Sequence, residues 1–153
     1  MTAFVAAGAG FLLAVLWFDL MFDVQVLAHR RGGDALPEEV LASISAYYRR
    51  VTTTARPMNR LVATAMVATL AAIVAQIAAG DAPRWVAWAS LALVCGAIAV
   101  AAAHTVPAAV RLGAREDDAV AQSRRARGIC RDHLLCVSAI GSLLVIQLGF
   151  ASG

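Results

Sequence analysis

Four long apolar runs divide this chain, at about 4–28, 58–79, 85–107 and 129–150. Each is long enough to cross a bilayer as a helix, for which about 20 apolar residues suffice. The first carries no charge from Thr2 to Phe18, then admits Asp19 and Asp23 while staying apolar to Ala28. His29-Arg30-Arg31-Gly32-Gly33-Asp34 is a charged stop and turn. After Pro37-Glu38-Glu39, which suits a helix's first turn, Val40, Leu41, Ile44, Tyr47, Tyr48 and Val51 recur at spacings of three and four. That pattern predicts an amphipathic helix, too polar to span, lying at the membrane surface and closed by Thr52-Thr53-Thr54 and Arg56-Pro57. Gly80-Asp81-Ala82-Pro83-Arg84 is a tight turn, so the second and third spans form a hairpin. Trp85 and Trp88 open the third span where an interfacial aromatic belt would put them, and Pro107 predicts a kink beside His104. The strongly charged stretch 111–127 reads as a solvated extension or loop. Gly8 and Gly10 suit close packing of the first span. The expected fold is all-α: an antiparallel four-helix bundle in the membrane, one four-span domain over 1–153, with an amphipathic cytoplasmic helix between spans one and two.

Composition agrees. Of 153 residues, 61% are hydrophobic and 15% charged, and mean hydropathy is +0.73, which excludes an ordinary soluble domain. The net charge of +3 comes from arginine without any lysine, and no nucleic-acid-binding motif accompanies it, so nucleic acid is not an expected partner. The arginines fall between the apolar runs and set topology. Arg30, Arg31, Arg49, Arg50 and Arg56 precede span two; Arg111, Arg115, Arg124, Arg125 and Arg127 precede span four; the hairpin holds only Arg84. Positive loops stay in the cytoplasm, which predicts a multi-pass protein of the cell membrane with both termini outside. No basic residue precedes the first span and no small-residue cleavage site ends it, so it is not expected to be a removable signal. Three cysteines, an odd number, argue against a disulfide framework; Cys130 and Cys136 would lie about 9 Å apart along one helix, too far for a bridge.

Candidate chemistry collects at one depth. Asp19 and Asp23, four apart, share a helix face. Asn59 and Arg60 open span two, His104 lies one turn before the end of span three, and His133 one turn into span four. Charged groups at mid-span cost about 2.5–3.5 kcal/mol each, so these should face protein or water. Asp19, Asp23, His104 and His133 are the candidate catalytic groups, acting in acid–base chemistry on a lipophilic small molecule, with Asn59 and Arg60 as substrate-binding groups. Asp23, His104 and His133 also match the ligand types of a transition metal, although the Glu-x-x-His pairing of a di-iron bundle is absent. The same carboxylates would serve a proton relay in a small transporter or transport accessory subunit, and such a short chain would then form a homo-oligomer. A third alternative is a structural membrane partner whose arginine-rich segments bind protein or anionic lipid. Asp19 or Asp23 paired with Arg60 or Arg131 would be simple charge neutralisation. Gln76 and Gln147, toward the other end, are expected to hydrogen-bond between helices.

Tyr47-Tyr48-Arg49-Arg50-Val51, leading to Arg56-Pro57-Met58-Asn59, resembles the approach to the second helix in the anthrone oxygenase-like family of small four-span membrane proteins. His104-Thr105-Val106-Pro107-Ala108-Ala109-Val110-Arg111-Leu112 is similar to that family's ending of the third helix. Ala109 stands where the family usually has Asn, and Arg131-Asp132-His133-Leu134 where it usually has Trp and an Asn/His pattern. The resemblance implies an oxidoreductase- or oxygenase-like enzyme embedded in the membrane.

Overall fold

A computed structural model describes residues 1–29, 35–54 and 56–150; the expected stop at 30–34 lies outside them. Among the described residues the chain is helical throughout, without strands: α1 (Thr2–Asp23), α2 (Gln25–Ala28), α3 (Glu38–Arg49), α4 (Arg56–Ala79), α5 (Arg84–Val100), α6 (Val106–Ala114) and α7 (Ala119–Phe150). Four stretches are long and apolar enough to cross a membrane: Thr2–Ala28, Pro57–Ala79, Arg84–Ala114 and Ala119–Phe150. The protein is a multi-pass membrane helical bundle. Its large apolar side chains also point outward, as lipid requires: Phe4, Trp17, Phe18, Val67, Val145 and Leu148 are all exposed.

The four spans form a ring. Helix α1 packs on α4 and α7, and α5 packs on the same two, giving the order α1, α4, α5, α7. Val5, Ala9, Leu12, Ile73, Val94, Ile140 and Leu143 fill its centre. The hairpin turn between α4 and α5 forms as expected: Gly80 takes φ +68°, and the amides of Gly80 and Asp81 return to the carbonyls of Ile77 and Gln76. At that same end Trp85 stacks edge-on against Phe150 and Gln76 reaches Thr2, so the two chain ends and the hairpin share one side.

Beyond the other side the helices overshoot. At 1.5 Å per residue, α7 is about 48 Å long against a hydrocarbon core of about 30 Å. Most of the stretch 111–127 is therefore helix, the end of α6 and the start of α7, joined by a short turn over 115–118. Asp118 starts α7 by accepting the amide of Ala121 at 2.8 Å. These extensions give α3 its partner. Val40, Leu41, Ile44 and Tyr48 pack with Ala108, Ala109, Leu112, Ala126 and Ile129 in a second core. The apolar face of the amphipathic helix is thus buried in protein, in place of the expected membrane surface.

Two segments depart from α-helical geometry, each for a legible reason. The run Arg50–Thr54 is a π-turn, in which Thr52, Thr53 and Thr54 each hydrogen-bond the carbonyl four residues back. Ala101–Thr105 is a second π-turn just ahead of Pro107. Proline there removes one backbone hydrogen bond, and the widened turn absorbs the loss while the helix continues to Ala114.

Candidate functional site

The polar layer is built from three helices. Helix α1 presents Asp19 and Asp23 one turn apart toward α3 and α7. Helix α3 brings two adjacent tyrosines: the Tyr47 hydroxyl donates to Asp19 Oδ1 at 2.5 Å and the Tyr48 hydroxyl to Asp23 Oδ1 at 2.6 Å. Phe22 stacks on the Tyr47 ring at 4.0 Å and holds it in place. From α7, His133 Nδ1 donates to Asp23 Oδ2 at 2.5 Å, while its Nε2 lies 3.9 Å from Asp19 Oδ2. Both ring nitrogens therefore face carboxylates. Asp23 is 0% exposed and each of its oxygens has a partner. Burial, followed by the aspartate beside it, pushes each tyrosine hydroxyl well above its ordinary range, so both remain neutral donors.

Asp132, the neighbour of His133, points about 100° away around α7 and makes a second pair. Its Oδ2 accepts from His104 Nδ1 and, at 3.4 Å, from the Thr105 hydroxyl in the π-turn. Arg131 Nη2 lies 3.6 Å from the other oxygen. His133 thus joins α7 to α1 and α3, while Asp132 joins it to the third span.

Several expectations change on this geometry. His104 belongs to the Asp132 pair and does not meet Asp23 and His133, and among the described residues no three of His, Cys, Asp and Glu come together as a metal would need. The metal set of Asp23, His104 and His133 is not assembled. Asn59 and Arg60 are exposed and stand outside the layer; Asn59 instead donates to the Val51 carbonyl at 2.6 Å, closing the first π-turn. Arg131 lies against Asp132 and not against Asp19 or Asp23; among the described residues the partners of those two carboxylates are the hydroxyls of Tyr47 and Tyr48 and the imidazole of His133. Tyr47 and Tyr48 were hidden because both count as apolar positions of an amphipathic helix. The signal for them was two buried carboxylates in need of donors. At the opposite end the Gln76 and Gln147 amides pair reciprocally at 3.1 and 3.0 Å, the expected helix-to-helix bond.

Over residues 1–151 the chain matches the family model of the SHR3 chaperones, described as ER membrane protein SH3. It belongs to that family. No curated protein and no solved structure matches it.

Membership in the ER membrane protein SH3 family corrects the resemblance to the anthrone oxygenase-like family, and with it the oxidoreductase reading and its lipophilic substrate. The segments that suggested it have other work here. The Tyr47-Tyr48 stretch supplies hydroxyls to α1, and the π-turn ending just ahead of Pro107 carries Thr105 to Asp132.

Proposed function

We propose that this protein is a membrane-embedded chaperone or transport accessory subunit, assisting other multi-pass membrane proteins. The observation that carries the reading is the family match along nearly the whole chain. The polar layer supports it: Asp23 is wholly enclosed and its hydrogen-bonding capacity is spent inside the fold, which suits a fastening more than a group that must meet a substrate. In this reading Asp19, Asp23, His104 and His133 lock the arginine-rich end of the bundle, so that α3 and the helix extensions present one rigid surface. The partner is another membrane protein. Residence in the endoplasmic reticulum follows the family description, in place of the cell membrane, and the arginine-rich end faces the cytoplasm with both termini on the far side.

The test is quantitative membrane proteomics of cells lacking the protein, beside cells carrying it and cells carrying Asp23→Ala. A defined set of multi-pass transporters should fall in its destination membrane and recover with the wild-type chain. An unchanged membrane proteome would overturn the reading. Impermeant thiol labelling of sealed microsomes carrying Asp81→Cys or Glu116→Cys, each in a background with the native cysteines replaced, tests orientation: Glu116→Cys, on the cytoplasmic face, should react in intact vesicles, and Asp81→Cys only after permeabilisation.

A further inference from the structure

A cavity of about 720 Å³ opens beside His104, where α7 leaves the apolar part of its span. Arg124, Arg125, Arg127 and Arg131 line it, together with Gly128. Positions 124, 127, 128 and 131 are three and four apart, so they share one face of α7. Gly128 leaves room: a Cβ there would sit 3.3 Å from the His104 ring. None of the described lining residues is acidic. Among the described residues Asp117 is shared between Arg111 and Arg125, and Asp132 between His104 and Arg131.

The same face of α7 changes character one turn further into the span. Leu134 and Leu135, three and four residues beyond Arg131, are both exposed. Guanidinium groups therefore adjoin an open apolar track, the pairing expected where a bilayer's headgroups meet its acyl chains. Arginine's planar fork matches phosphate oxygens, and a charged pocket continuous with an apolar surface matches a molecule carrying both.

We propose that this cavity binds the phosphate of an anionic phospholipid headgroup, with the acyl chains lying along the Leu134–Leu135 face of α7. The site is independent of the chaperone reading: lipid would bind whether or not a partner protein does.

The experiment is native mass spectrometry of the full chain in neutral detergent, titrated with dioctanoyl phosphatidylglycerol. One bound lipid is expected, in preference to dioctanoyl phosphatidylcholine. Arg124→Gln with Arg131→Gln should weaken it about tenfold or more, since each arginine near a membrane surface adds appreciably to anionic-lipid binding. Gly128→Leu, which adds bulk to the lining beside His104 and keeps every arginine, should weaken it too. Arg60→Gln, an exposed arginine on α4 outside the cavity, should leave binding unchanged. Each variant is checked for a wild-type unfolding midpoint, and Gly128→Leu is set aside in favour of the double glutamine variant if it fails that check. Equal weakening by Arg60→Gln, or wild-type binding by the double glutamine variant, would overturn the proposal. Displacement of the lipid by inorganic phosphate at matched concentration would also overturn it, assigning the cavity to a soluble anion.

Discussion

Asp23 has no exposed surface and sits in a span, yet both its oxygens receive hydrogen bonds, from Tyr48 and His133. Removing a group so placed strands its partners, which is why the loss exceeds the worth of the bonds themselves. Asp23→Ala should lower stability by about 3–5 kcal/mol, the usual result of leaving half of a buried pair. Tyr48→Phe should cost about 1–3 kcal/mol, because one carboxylate oxygen is left without its donor. Tyr47→Phe should cost less than Tyr48→Phe, as Asp19 retains some exposure. Unfolding midpoints in detergent would check the ranking, and a Tyr47 variant weaker than the Asp23 variant would contradict this account. Asp117 makes the opposite case, in the turn outside the spans. The hydrogen bond from Arg125, with Arg111 nearby, holds its carboxyl below the ordinary value. A lowered folded value means that this contribution is fully present above the unfolded value of about 3.9 and is lost as pH falls through the folded one. Asp117→Asn should therefore flatten the acid side of the stability profile below about pH 4 while leaving its shape near neutrality alone. The midpoint measured against pH is the check.

Helix contacts depend on glycines that look alike in sequence and differ in space. A Cβ on Gly8 would stand 2.0 Å from the Thr69 hydroxyl, so α1 and α4 meet there only because no side chain intervenes; Gly10 has open space around it. Gly8→Ala should destabilise by about 1–3 kcal/mol through overpacking, and Thr69→Ala in the same chain should recover part of the loss. Gly10→Ala should be neutral or should stabilise by up to about 1 kcal/mol through helix propensity. If the two alanine variants unfold alike, this close approach is not what sets the α1–α4 distance. At the other end Gly113 plays the same part between α6 and α3, where a Cβ would fall 2.8 Å from the Arg49 backbone nitrogen. Together with the threonines that widen the end of α3, it sets how closely that helix can lie against the bundle.

Two polar layers clasp the bundle, one at each end. At the end carrying the termini, the Gln76 and Gln147 amides bond to each other, and their remaining N–H groups reach Thr2 and Ser90, so all four spans are tied at a single level. Gln147→Leu should cost about 1–2 kcal/mol in the membrane, with Gln76 left short of partners. Gln76→Leu with Gln147→Leu should cost less than the two single changes added together, since neither amide is then stranded. Additive losses would mean that the pair does not act as a unit. The arginine-rich end is tied differently, by Asp–Tyr and Asp–His contacts that need α3 as well as the spans.

The number of spans, their order and the hairpin at Gly80 are legible in the residues, because lipid permits only backbones that satisfy themselves and so imposes long apolar runs with abrupt ends. That Asp19, Asp23 and His133 lie in one layer is legible too, since it follows from rise per residue along the spans. Which residues meet within that layer is not. A helix turns about 100° per residue, so neighbours such as Asp132 and His133 serve different partners. Tyr47 and Tyr48 could count as apolar until α3 was seen to pack on protein, and Asn59 and Arg60 shared a depth with the aspartates but faced outward. Hydrophobic pattern reports each helix's own environment. The pairing of polar groups depends on distances and rotations between helices far apart in the chain, and those exist only in the packed bundle.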